Sequence, residues 1–191
     1  MNDQIVSFDD EKLILVDPQD NILGYETKDV CHNGDGLLHR AFSIFIFNSH
    51  GELLLQQRSQ EKRLWGLYWS NTCCSHPRKG ETYEQATMRR LQEELGLKAP
   101  LKFLFKFQYQ ARFNNKGSEN ELCSVYVGKC DEPPSVNPNE IAAVRYIPPE
   151  DLEKEMQLHP DKFTPWFKME WERIRKEFWP EVEKIISDKS S

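Results

Sequence analysis

Short apolar runs broken by polar and turn-forming residues organise the chain. Residues 13–16 form the first such run, ended by Asp17-Pro18, and predict a strand. AFSIFIFN at 41–48 is dense in β-branched and aromatic residues, Ser49-His50-Gly51 punctuates it, and ELLLQQR follows at 52–58. Two β-type runs around a Gly-containing turn predict a hairpin. Residues 64–72, with Trp65, Gly66 and Trp69, read as a loop with a short strand. The period changes over 82–95, where Ala86, Arg90, Leu91 and Leu95 recur on one helical face. Thr82 stands at the N-cap with Glu84 and Gln85 behind it, and Gly96 ends the helix. Residues 101–113 and 122–127 predict strands joined by a polar connection over 114–120. Three prolines make 131–138 a loop, 142–147 a late strand follows, and Pro149 opens a short helix. Thr164-Pro165 opens a last amphipathic helix bearing Trp166, Phe167, Trp171 and Ile174. Strands mixed with a few helices predict a single-domain α/β sandwich with mixed and antiparallel strands, not a doubly wound sheet.

Composition narrows the function classes. The 191 residues suffice for one domain with a sizeable core. A net charge of −6 gives non-specific nucleic-acid binding no support, so an anionic ligand requires a local basic pocket. The five cysteines, with Cys73 and Cys74 adjacent, read as reduced thiols in a cytoplasmic protein. The N-terminus is polar and acidic, unlike a signal peptide, and DKSS at the C-terminus is no lipidation signal. The longest apolar stretch, 42–47, is too short to cross a bilayer, so no membrane partner is expected.

Two groups of residues carry chemistry. On the predicted helix, positions 90, 93, 94 and 97 share one side, so acids at 90, 93 and 94 would converge on one divalent cation. The segment 75–97 resembles the Nudix signature, with Glu81, Arg89, Glu93, Glu94, Gly96 and Leu97 at matching places. It departs from that pattern at Ser75, where a Gly opens the motif, and at Arg90, where the family has a metal-binding Glu. A fixed positive charge there speaks against ordinary diphosphate hydrolysis. The second group is His32, His39, His76, Glu119 and Glu121: three imidazoles and two carboxylates suited to a borderline metal such as Mn²⁺ or Zn²⁺. On a strand, Glu119 and Glu121 point to the same face.

The ordered motifs HRAFSIFIFN (39–48), LLLQQR (53–58), NTCCSHP (71–77), Glu119-Asn120-Glu121 and TPWF (164–167) resemble type I isopentenyl-diphosphate isomerases, over most of the chain from Lys28 to Phe167. The resemblance implies a Nudix-like α/β/α sandwich over residues 1–170, followed by a helical extension and polar tail over 171–191. It implies metal ligation by His32, His39, His76, Glu119 and Glu121, and a Mg²⁺ position at Glu94. Cys74, Glu121, Tyr109 and Trp166 take the catalytic positions, with Cys73 a bystander. Lys28, Arg58, Lys62 and Arg90 take the diphosphate-binding positions. The implied reaction interconverts isopentenyl and dimethylallyl diphosphate by protonation and deprotonation on opposite faces, through a carbocation that the face of Trp166 can stabilise. The implied protein acts on a small molecule as a monomer or homodimer. A Nudix-type diphosphate hydrolase is the competing expectation. His50 and His159 match no ligand position and are expected at the surface.

Overall fold

A central strand buried on both faces organises the molecule, whose computed structural model describes residues 3–188. This strand, β3 (His39–Phe47), is the apolar run seen in the sequence. Phe45 and Phe47 enter one core cluster while Phe42, Ile44 and Ile46 enter the other. Such a continuous apolar run suits a strand covered on both sides. The strands before it are β1 (Lys12–Val16) and β2 (Ile22–Thr27), joined to it through α1 (Lys28–His32). After it come β4 (Leu53–Arg58), β5 (Trp69–Ser70), β6 (Cys73–Ser75), β7 (Leu101–Phe113), β8 (Gly117–Lys129) and β9 (Ile141–Ile147). All belong to one mixed sheet: β3 pairs in parallel with β8 and antiparallel with β6, and β4 pairs antiparallel with β9.

Helix α2 (Tyr83–Leu95) covers one face, burying Ala86, Leu91 and Leu95 against Phe42, Ile44, Ile46 and Leu54. Its ends follow the sequence reading. Thr82 and Gln85 form a reciprocal capping box, and Gly96 turns the chain at φ 64. The other face is covered by α3 (Pro149–Leu158), α4 (Pro165–Arg173) and α5 (Trp179–Ser187), through Leu152, Trp166, Phe167, Trp171 and Val182.

Several elements differ from expectation. The β3–β4 hairpin pairs only at Phe47↔Leu53, after which the strands diverge to other partners. Thr72 fills the gap: its hydroxyl accepts from Ile46 N at 2.9 Å and donates to the Leu54 carbonyl at 2.6 Å, satisfying buried backbone groups. The connection after β7 is short, and β8 starts at Gly117, so Glu119 and Glu121 both lie on a strand. Residues 73–75, to which the sequence reading assigned no element, form strand β6. The last helix is divided by a π turn, Ile174–Phe178, and Trp171, Ile174 and Val182 share the core of Trp166. The end of the polar tail, 189–191, lies outside the described residues.

Candidate active site

Three elements converge to bring the histidines together. Thr27 caps α1, accepting from Val30 N, and this short helix ends on His32. His39 opens β3 directly opposite Glu121 in the parallel β3–β8 register. His76 follows β6. The three ring centroids lie 4.8–5.3 Å apart, and His32, His39, His76, Glu119 and Glu121 each offer a ligand atom within 4.8 Å of the others. His39 Nδ1 lies 2.7 Å from the Leu37 carbonyl, so it donates there and leaves Nε2 as a lone pair facing Glu121 at 3.7 Å. His32 Nε2 and Glu119 Oε2 approach to 2.9 Å but are misaligned for a hydrogen bond, and both are buried without a partner.

Electrostatics favour a cation here. Burial and the neighbouring His32 push His39 down to about 4, and burial drives His76 well below its ordinary value. Both are therefore neutral imidazoles, the ligating form. Burial raises Glu119, but His32, His39 and Glu121 together more than offset this and hold it at about 2. Burial and Glu119 push Glu121 well up. A divalent cation between them would reverse that repulsion. Orphaned lone pairs, neutral imidazoles and two carboxylates thus fit a bound metal.

Beside this centre, the Tyr109 phenol donates to Glu121 Oε2, while Glu121 Oε1 meets His76 Nε2 at 2.8 Å. Cys74 lies on β6, paired with Ser43 of β3. Burial pushes its thiol up to about 12 despite the nearby Arg58, so the sulfur carries its proton at neutral pH. Trp166, from α4, stands 3% exposed with Tyr109 at 6.2 Å and the Arg58 guanidinium 5.3 Å from its ring centroid. Cys74, His76, Tyr109, Glu119, Glu121 and Trp166 line one cavity of about 450 Å³.

The same cavity holds the cations. Lys28, Arg58, Lys62 and Arg90 all line it. Burial and the charges of Lys62 and Arg90 lower the Lys28 pKa. Arg58 is oriented by the carbonyls of Trp65 and Leu64 at 3.2 and 3.0 Å. Arg90 is 3% exposed and ion-paired to Glu94, with Glu140 at 3.0 Å and Glu93 at 3.3 Å. Glu94 stands behind Arg90 and does not line the cavity; its second oxygen accepts from Gln56 at 3.1 Å. His39 likewise stands behind His76, fully buried. His50 and His159 are exposed, away from the site.

Two residues escaped the sequence reading. Glu140, in the turn just before β9, lines the cavity and pairs with Lys62 and Arg90. It is a lone acid after a proline-rich loop, with no periodic partner to mark it. Gly117 holds φ 141, and a Cβ there would collide with the His32 carbonyl. Its signal is the glycine itself at a strand start.

An α/β/α sandwich with a Glu-bearing helix beside the cavity is the architecture of a Nudix domain, and the NUDIX domain family matches residues 37–167. A crystal structure of a protein from Deinococcus radiodurans superposes with a TM-score of 0.64 at 26% identity, covering 78% of this chain and 90% of that one. A MutT protein from Methanosarcina mazei shares the fold, with a TM-score of 0.61 at 18% identity, over 73% of this chain and 94% of the other. Among curated relatives, isopentenyl-diphosphate Delta-isomerase 1 of Photorhabdus laumondii is 47% identical, over 86% of this chain and 94% of its own length. The isopentenyl-diphosphate Delta-isomerase of Serratia proteamaculans is 46% identical, over 83% of this chain and 88% of its own length. The chain belongs to the isopentenyl-diphosphate Delta-isomerase family.

Proposed function

We propose that the protein interconverts isopentenyl diphosphate and dimethylallyl diphosphate, adding a proton at one carbon and removing one from another. The observation that carries this reading is the convergence of Cys74, Glu121, Tyr109 and Trp166 on a cavity that Lys28, Arg58, Lys62 and Arg90 also line. The basic side chains bind the diphosphate, Arg90 and Arg58 as planar forks and the lysines as point charges. The five-carbon chain then lies between the Cys74 sulfur and the Glu121 carboxyl. An unactivated alkene is a weak base, so the acid must be well placed and water kept out. Glu121 and Tyr109, joined by their hydrogen bond, move a proton on one side. Cys74, held as a thiol or briefly a thiolate beside Arg58, serves the other. The developing tertiary cation faces the Trp166 ring, a surface that already attracts the Arg58 guanidinium.

His32, His39, His76, Glu119 and Glu121 would hold Mn²⁺ or Zn²⁺, and that ion supplies the positive charge that fixes Glu121 and keeps both carboxylates ionised. Glu94, the expected Mg²⁺ position, would have to give up its contacts with Arg90 and Gln56 to hold an ion there, which would supply charge neutralisation at the anion. Arg90 in place of a carboxylate supports an isomerase over a hydrolase, since no attacking water is wanted. We read residues 171–188 as a buttress for the helix that carries Trp166, and place the enzyme in the cytoplasm.

Incubation with isopentenyl diphosphate, followed by NMR of the alkene and a phosphate assay, tests the reading. A double-bond shift that EDTA abolishes is expected. Phosphate release without a shift would overturn it in favour of the hydrolase.

A further inference from the structure

We propose that Glu140 is a specificity-determining residue that makes diphosphate binding conditional on an accompanying divalent cation. The inference rests on reading the basic cavity wall as the diphosphate site.

Glu140 is a buried carboxylate that nevertheless lines the cavity. Its Oε2 engages Lys62 Nζ, and Arg90 Nη2 at 3.0 Å. One carboxylate oxygen therefore occupies two of the four cations that the diphosphate would use. Burial raises the Glu140 carboxyl, but Lys62 and Arg90 more than offset this and hold it well below its ordinary value.

The carboxylate is not free to swing away with its backbone. The Glu140 carbonyl accepts from Ser59 N at 2.9 Å, and its own N–H donates to the Asn137 carbonyl at 3.1 Å. Asn137 in turn is tied to the end of α2, donating from its backbone to the Glu94 carbonyl at 2.8 Å. Glu94 reaches the same Arg90 nitrogen. Two carboxylates thus share one guanidinium nitrogen, and of the two only Glu140 lines the cavity.

A bare diphosphate must present its oxygens to Lys62 and Arg90 with this carboxylate beside them. Like charges that close in a buried site repel strongly. A hard divalent cation between the carboxylate and the phosphate oxygens turns the repulsion into shared ligation, because such cations collect oxygen donors of this kind. Glu140 is then a repulsive element that rejects the unmetallated anion and tolerates the metallated one, which is how binding sites gain selectivity beyond their attractive contacts.

The test is calorimetric titration of inorganic pyrophosphate into the intact protein as purified, with saturating Mg²⁺ and with none added. For the wild type, affinity should fall by ~tenfold or more without Mg²⁺. In Glu140→Gln the difference should shrink to below about threefold, because binding without Mg²⁺ improves. Glu140→Asp, which keeps the charge, should retain the wild-type dependence. A purely structural role for Glu140 would weaken binding in both conditions alike. Should Glu140→Gln fail to fold because Lys62 is left unpaired, the Lys62→Gln/Glu140→Gln pair removes both charges, and its Mg²⁺ dependence must likewise collapse. Unchanged dependence in the neutral variants, or its loss in Glu140→Asp, overturns the inference. Absence of pyrophosphate binding by the wild type with Mg²⁺ present overturns the diphosphate reading itself.

Discussion

Tyr109 and Glu121 face each other as a register pair across β7 and β8, and the Tyr109 phenol donates to Glu121 Oε2. The other Glu121 oxygen belongs to the histidine cluster, with His76 Nε2 at 2.8 Å. Each oxygen therefore has its own partner. Tyr109→Phe removes the hydrogen bond while leaving the His76 side intact. Turnover should fall by ~10²-fold or more, the scale of a lost acid–base group, with the bound metal retained. Rate measurement beside metal analysis checks this, and coupled loss of metal would show that Tyr109 holds the ligand set instead.

Cys74 carries its proton at neutral pH because burial outweighs the pull of Arg58. Cys74→Ala should lower turnover by ~10³-fold while circular dichroism and melting stay close to wild type, since the side chain is small and half-buried. Glu121→Gln should do the same to turnover and also weaken the metal. Full activity in either variant would remove that residue from the mechanism.

The parts of the molecule that the sequence revealed are those whose signals are local. Helix α2 announces itself through Thr82, the apolar period and Gly96, all within one segment. β3 is a continuous apolar run, which suits a strand buried on both faces. The β3–β4 hairpin misled because a turn signal says where the chain reverses, not how long the strands stay paired. α1 has five residues and no period; it exists because Thr27 caps it. β2 lies at the sheet edge with Ile22, Leu23 and Tyr25 exposed, so no alternation marks it. The site residues themselves came from motif resemblance, because His39 meets Glu121 only through long-range parallel pairing. Glu140 had neither motif nor period to reveal it.

Gly117 fixes the approach of β8 to the end of α1. Its φ of 141 disfavours any side chain, and a Cβ would collide with the His32 carbonyl. Gly117→Ala should push His32 away from Glu119 and weaken metal binding by ~10–100-fold, the scale seen when a ligand loses its support. Strain should also cost about 1–3 kcal/mol of stability. Competition for the metal by a chromogenic chelator reads the first effect and urea unfolding the second. Unaltered metal affinity would mean that α1 yields without moving the imidazole.

Arg90 is the fixed charge between Glu93, Glu94 and Glu140. Arg90→Glu replaces a buried ion-pair hub with a buried cluster of like charges. Loss of stability by about 3–5 kcal/mol is expected, because the remaining carboxylates lose their partner. Added Mg²⁺ should recover much of it, since the cluster then has oxygen donors for one cation. Thermal melts with and without Mg²⁺ measure both, and isomerisation should fall while slow phosphate release appears. A variant that melts like wild type without Mg²⁺ would show that Arg90 contributes little to the fold.

Glu170 on α4 is fully buried against Cys123, whose thiol lies 3.5 Å from Oε1, while Oε2 has no partner. Burial raises its carboxyl from an ordinary value of 4.5 to about 8. Between those two pH values the folded protein holds a proton that the unfolded chain has released, so stability falls as pH rises across this window and is flat outside it. Glu170→Gln keeps the shape of the protonated acid and removes the titration. The variant should match or trail the wild type near ~pH 4, and its advantage should grow with pH to about 1–3 kcal/mol at neutrality. That range is the linkage gain less the cost of an imperfectly bonded amide. Urea unfolding of both proteins across this pH range checks the slope, which a merely altered packing contact would leave unchanged. Parallel stability curves for the two proteins would mean that Glu170 ionises at its ordinary pH inside the fold.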